Sequence, residues 1–269
     1  MALLKTVLLA VAIGYIAIAA LVWFAQERLI FMPVGVRAPP QAPPGWRLEK
    51  VSVAAHDGTR LAGVLLVPPV SRAPLVIYYG GNAEEVTAYA AQANASYGPT
   101  ALLLMNYRGY GESAGSPGEK ALISDALQIF DWAAARPDID PARIALHGRS
   151  LGTAIAVPVA AAKPAKCVVL TSPFASALDV AAEIYPWLPV SWMLRHPFDS
   201  ARLAPGIPVR ALILAGESDN IIPKRHSDRL AALWGGPVER ASFKGFGHND
   251  LDLNPRYGLA IREFLGRCL

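Results

Sequence analysis

The sequence predicts an α/β fold: one domain on a mostly parallel sheet with helices on both faces, preceded by an apolar helix. Three observations carry this reading. From residue 75 onward, apolar runs of strand length alternate with segments of helical spacing, the pattern of a wound parallel sheet. The length of 269 residues suits a single domain of this kind with additions. Thr6 to Ala25 is a run of 20 residues without a charge.

The uncharged run comes first in the chain. A helix of that length, at about 1.5 Å per residue, measures roughly 30 Å, the thickness of a bilayer's hydrocarbon core. Trp23 and Phe24 stand at its far end, where aromatic rings favour the interface, and Gln26, Glu27 and Arg28 end it. Residues 1–28 are therefore expected to form a single-pass membrane anchor. A cleaved signal peptide is the rival, with Ala17-Ile18-Ala19 as a weak cleavage site, although signal cores run about 7–15 residues. A buried core helix is a third reading. Lys5 before the span and Glu27, Arg28, Arg37 and Arg47 after it decide orientation only weakly. The short leader favours an outside, periplasmic domain. Residues 29–46 read as a linker, since five prolines between Pro33 and Pro44 make an extended, semi-rigid stretch. It would lift the domain of residues 47–269 off the membrane.

Leu48 to Val53 alternates apolar and polar, Asp57-Gly58 is a turn signal, and Leu61 to Val67 completes a hairpin. Leu75 to Tyr79, Ala101 to Met105, Ile144 to His147, Val168 to Leu170 and Val209 to Leu214 read as buried strands. Between and after them, Ala83 to Ser96, Leu122 to Ala135, Thr153 to Ala162, Pro223 to Trp234 and Pro255 to Leu265 read as helices. Glycine-rich turns follow several strands at their carboxyl ends, where open α/β sheets bind ligands.

Composition narrows the function. Hydrophobic residues make up 53% and charged residues 17%, and the net charge of +4 is spread rather than clustered. No basic stripe interleaved with aromatics supports nucleic-acid binding. The two cysteines, Cys167 and Cys268, form no CxxC or Cys/His cluster, so no metal site is expected. Cys167 opens an apolar strand-like run and Cys268 lies at the extreme C-terminus, and a disulfide between them is an unfavoured expectation.

Gly148-Arg149-Ser150-Leu151-Gly152 matches G-x-S-x-G between a predicted strand and a predicted helix. In that context the serine sits on a sharp turn that thrusts its hydroxyl outward, and the flanking glycines let strand and helix pass closely. Serine needs a base to act as a nucleophile. Of five histidines, His56 precedes the hairpin turn, and His147 lies on the strand leading into the elbow. His196 falls in an aromatic-rich insertion, and His226 lies within a helix and looks solvated. His248, in Gly245-Phe246-Gly247-His248, occupies a loop after a late strand and follows a credible acid. That acid is Asp219, at the end of the strand before it, with Glu217 as its main rival; Asp250 reads as structural. The oxyanion donors expected are the backbone N–H groups of Leu151 and of Asn82, in the loop Gly80-Gly81-Asn82-Ala83. An ordinary strand-to-helix turn is the alternative for that loop.

Asn106-Tyr107-Arg108-Gly109-Tyr110-Gly111-Glu112-Ser113 with Gly115-Ser116-Pro117 resembles a signature of membrane-anchored α/β-hydrolases. So do Ser172-Pro173-Phe174, Phe198-Asp199-Ser200, Gly247-His248-Asn249-Asp250 and Gln26 to Phe31, so the likeness covers nearly the whole chain. Relatives in that group include eukaryotic protein depalmitoylases and serine aminopeptidase-like hydrolases. The resemblance implies an α/β-hydrolase fold, a Ser150–Asp219–His248 triad, and neither metal nor organic cofactor. One position departs: the group's His-Gly-Asn-Ala loop has Gly80 in place of histidine, which puts the preorganisation of the oxyanion loop in doubt.

The expectation is therefore acyl transfer through an acyl-enzyme on a small-molecule or lipid-like ester or thioester, at a membrane. An aminopeptidase-type amide hydrolase and a non-catalytic membrane-tethered scaffold are the alternatives. The insertion between Ser172 and Pro208, with Trp187, Leu188, Trp192, Met193 and Leu194, either lines an acyl pocket or belongs to the core.

Overall fold

The computed structural model describes residues 1–36 and 38–269, with Ala93 and Asn94 as backbone only, so Arg37 lies outside the described residues. Helix α1 (Ala2–Ile30) comes first. The hairpin β1 (Arg47–Ala54) and β2 (Arg60–Val67) follows, then β3 (Ala73–Tyr79). A 3-10 turn (Val86–Gln92) and a short α2 (Ala93–Tyr97) lead to β4 (Ala101–Met105). Next come α3 (Glu119–Ala134), β5 (Ile139–Arg149), α4 (Thr153–Ala162) and β6 (Cys167–Thr171). The insertion carries α5 (Ala177–Ile184) and α6 (Val190–Met193), and α7 (Ser200–Leu203) leads back to the sheet. The chain closes with β7 (Arg210–Gly216), α8 (Lys224–Leu233), β8 (Val238–Phe243) and α9 (Pro255–Cys268).

One eight-stranded sheet runs in the order β1-β2-β4-β3-β5-β6-β7-β8. β1–β2 and β2–β4 are antiparallel, and the remaining pairs are parallel. Parallel strands are covered on both faces, and the core accordingly divides in two. On one face, Leu122 and Ile129 of α3, Ile155 and Val159 of α4 and Leu230 of α8 pack on the sheet. On the other, Tyr97 of α2 and Tyr257, Ile261 and Phe264 of α9 do so. Each such fully buried side chain stabilises the fold by about 1.5–3 kcal/mol. The Arg108 guanidinium, in the Asn106–Ser113 motif, ties this scaffold together: it grips Asp125 of α3 at 2.6 Å and Asp57 of the hairpin turn at 2.6 Å. That motif braces the sheet end rather than lining the site.

α1 is long and apolar enough to cross a membrane: its most apolar 18-residue window has a mean hydropathy of 2.6 and is 0% buried. Its C-terminal end is docked to the domain. Phe31 is 2% exposed within the core, Val34 packs against the same cluster, and the Val34 carbonyl accepts from Gly111 N–H. The proline-rich stretch thus begins against the domain surface and leaves no spacer between helix and domain.

Three sequence expectations are corrected. Ala83 to Ser96 is a turn, a 3-10 segment and a single α-helical turn rather than one α-helix, because the loop's N–H groups are taken by side chains. Val86 N–H donates to Asn106 Oδ1 and Thr87 N–H to Glu85 Oε1. Cys167 and Cys268 are joined in a disulfide across 101 residues, with Cα atoms 6.3 Å apart. α9 runs back over the sheet and delivers the C-terminus to the start of β6, a proximity invisible in sequence. His226 is 3% exposed on α8 rather than solvated, and its ring meets Glu183 at 3.3 Å.

Candidate active site

The elbow stands where β5 ends. Ser150 has φ +50°, a left-handed conformation that costs a non-glycine residue free energy and that the packing around it must enforce. A Cβ on Gly152 would collide with the Tyr79 carbonyl, so only glycine lets β3 and the start of α4 pass here. The turn lifts Ser150 Oγ to 2.8 Å from His248 Nε2, and His248 Nδ1 lies 2.7 Å from Asp219 Oδ2. The other Asp219 oxygen accepts from the N–H groups of Ile221 at 3.0 Å and Ile222 at 2.8 Å. Burial pushes the Asp219 carboxyl up, but the His248 ring and the Ile222 N–H outweigh it and hold the group below its ordinary value. Glu217 is exposed, its backbone spent on pairing with Phe243, so of the two candidate acids only Asp219 reaches the ring. Asp250 accepts from Gly247 N–H at 2.6 Å and shapes the histidine loop.

The other histidines stand apart. His56 is exposed. His147 is fully buried behind the elbow, bonded to Tyr97 at 2.7 Å and Thr171 at 3.0 Å. Burial, helped by the Arg149 charge, lowers its ring to about 3, which keeps it neutral. His196 packs edge-on against Phe31, and its Nδ1 accepts from Glu119 N–H.

The Asn82 loop lies beside the serine: a Cβ on Gly81 would stand 3.7 Å from that of Ser150. The Asn82 side chain faces away, toward the end of α1. Its amide donates to the Ile30 carbonyl at 2.7 Å, and its oxygen accepts from Met32 N–H at 2.9 Å and Tyr110 O–H at 2.7 Å. Its side chain is thus fully engaged. Gly80 does not leave the loop loose. Val86 fills the space a side chain would need there, Tyr107 O–H donates to the Gly80 carbonyl at 2.9 Å, and Glu84 takes Gly81 N–H at 2.6 Å.

One further residue escaped sequence reasoning. The Arg149 guanidinium reaches Glu84 and the His248 carbonyl, both at 3.4 Å, linking the elbow to the Asn82 loop and the histidine loop. An unspecified position inside G-x-S-x-G offered no sign of this.

Ser150, Leu151 and Asn82 open onto a cavity of about 410 Å³. Phe174, Leu188 and Met193 line it from the insertion, while Val22, Gln26, Leu29 and Ile30 line it from α1. No aspartate or glutamate lies among the described lining residues. The insertion's apolar side chains divide: Trp187 and Leu188 line the cavity, whereas Trp192 is turned outward. Among the described residues, no group of three His, Cys, Asp or Glu is gathered to hold a metal ion.

No protein-family model matches the chain. An uncharacterized protein of Mycobacterium tuberculosis is 38% identical over 270 residues, 94% of this chain and 95% of that protein. The Arabidopsis thaliana protein WAV2, described as α/β hydrolase domain-containing, is 29% identical over 238 residues, 80% of this chain and 77% of that one. Among solved structures, an acetyl xylan esterase from Paenibacillus sp. R4 superposes with a TM-score of 0.72 at 18% identity, covering 93% of this chain and 94% of that one. That likeness is one of fold.

Proposed function

The chain belongs to the α/β-hydrolase family, and on that premise we propose that it is a membrane-anchored serine hydrolase that cleaves carboxylic esters or thioesters with lipid-like acyl groups. The observation that carries the reading is the unbroken hydrogen-bond chain from Asp219 through His248 to Ser150, ending at the mouth of an apolar cavity.

In this mechanism Ser150 Oγ attacks the acyl carbonyl while its proton passes to His248 Nε2. Asp219 accepts from Nδ1–H, fixes the tautomer and stabilises the imidazolium. The amides of Leu151 and Asn82 receive the oxyanion. His248 protonates the leaving oxygen or sulfur, giving the acyl-enzyme. Water, activated by the same nitrogen, then releases the acid.

The acyl side of the substrate is favoured by the cavity's apolar lining. An aminopeptidase would need a carboxylate for the substrate's ammonium, and the described lining residues include none. A scaffold would have no use for a strained, activated serine. Structures of like fold include acetyl xylan esterases, in keeping with ester chemistry. The Cys167–Cys268 disulfide favours an oxidising compartment, hence an extracytoplasmic domain held by α1.

The test is a panel of p-nitrophenyl esters, acyl thioesters and aminoacyl amides, presented to the full chain in detergent. Turnover of esters or thioesters with a pre-steady-state burst is expected, and selective turnover of the aminoacyl amides would refute the assignment.

A further inference from the structure

One wall of the cavity is supplied by α1 itself. Val22, Gln26, Leu29 and Ile30 line it, at the three- and four-residue spacing of a single helix face. Gln26 is only 5% exposed, although it sits at the end of an apolar helix. Its amide donates to the Met193 carbonyl at 3.2 Å and accepts from Arg195 N–H at 2.8 Å, clamping the insertion onto α1. Farther toward the N-terminus, Tyr15 O–H donates to the Trp187 carbonyl at 3.0 Å. Tyr15 precedes Gln26 by 11 residues, roughly 16 Å of helix. The insertion therefore runs alongside the uncharged span and not beyond its end.

The insertion suits that position. Between Glu183 and Arg195 stand 11 residues, Ile184 to Leu194, with no charge. Trp187 is 52% exposed and Trp192 86%, rings that favour a membrane interface over open water. Arg195 lies over the Trp23 ring at 5.4 Å and meets Glu27 at 3.3 Å, so charge returns only at the domain end of the patch.

We propose that α1 forms part of the acyl-binding site and that the substrate is a lipid ester resident in the bilayer, whose acyl chain enters the cavity sideways between α1 and the uncharged insertion. The proposal rests on the serine hydrolase reading and names its substrate class and route. A chain taking this path leaves hydrocarbon for an apolar cavity without exposing its methylenes to water. α1 also measures that chain. Ile30 holds the Asn82 loop beside Ser150, and Val22 lies eight residues back, roughly 12 Å along the helix.

The full chain is reconstituted in vesicles of ether-linked phosphatidylcholine, which contain no ester of their own. The probes are a dodecanoyl ester of a long-chain alkyl glycerol ether, which stays in its vesicle, and a water-soluble butanoyl ester. The dodecanoyl ester should be hydrolysed in the enzyme's own vesicles and about ten-fold or more slower when held in separate ones. Val22→Trp should lower kcat/KM for the dodecanoyl ester about ten-fold or more relative to that for the butanoyl ester. Equal rates from the two vesicle populations, or an unchanged chain-length profile in Val22→Trp, would overturn the proposal while butanoyl turnover upholds the hydrolase reading. If Val22→Trp loses butanoyl turnover as well, Val22→Ala decides: it must shift the preference to longer chains, or the proposal falls. Absence of turnover on every ester by the wild type removes both readings.

Discussion

The two sides of the cavity are built on opposite principles. On the sheet side, Ser150, His248 and Asp219 stand on the ends of β5, β8 and β7 and are fixed by short polar contacts of 2.7 to 3.0 Å. On the other side, α1 and the insertion line the cavity mostly with apolar side chains, and Tyr15, Gln26 and Arg195 clamp the two together. Hydrogen bonds are directional and weaken steeply with misalignment, whereas apolar packing tolerates shape change at modest cost. Under the proposed function, the sheet side suits chemistry common to many acyl substrates, and the helix side suits the choice among them.

Variants on the two sides should differ in kind. Asp219→Asn should produce the largest effect, a fall in kcat of about 10³–10⁴-fold that is uniform across acyl chain lengths, because the imidazole loses its tautomer and its counter-charge. Steady-state kinetics on the ester panel would read it, and a chain-length-dependent loss would blur the division drawn here. Asn82→Ala joins the two sides. It keeps the backbone N–H but removes the bonds to Ile30, Met32 and Tyr110, and should lower kcat about 10²-fold with little change in KM.

Smaller effects belong to the scaffold. Cys268→Ser opens a loop of 101 residues and should lower stability by about 2–4 kcal/mol in denaturant melts, with the chain-length profile unchanged. The last concerns pH. His147 titrates near 3 in the fold against an ordinary 6.5. The unfolded chain therefore takes up this proton as pH falls below about 6.5, while the fold refuses it until near 3. Its contribution is complete above that window and is lost through it, with a slope of at most about 1.4 kcal/mol per pH unit. Melts of His147→Gln should lose that part of the acid sensitivity.

The same contrast explains what could be read in the sequence. The alternation of apolar runs and helical segments indicates the parallel sheet, because strand burial and helix amphipathicity are local patterns. Ser150, Asp219 and His248 could be nominated because each closes a strand and their order in the chain is restrictive. Arg149 could not, since its partners Glu84 and His248 lie 65 and 99 residues away. The disulfide was hidden for the same reason. The position of α1 beside the cavity was masked by its own apolarity: a helix apolar on every face does not mark the face that meets protein. Gln26, in step with Val22 and Ile30, was the one available sign.

The central claim is an activated serine at position 150, and intact-mass analysis after fluorophosphonate treatment tests it most directly. A single adduct on the wild type, absent from Ser150→Ala and formed much more slowly on His248→Ala, is the expected result. A folded wild type that takes no adduct, or a Ser150→Ala variant labelled as fast as the wild type, would contradict the account.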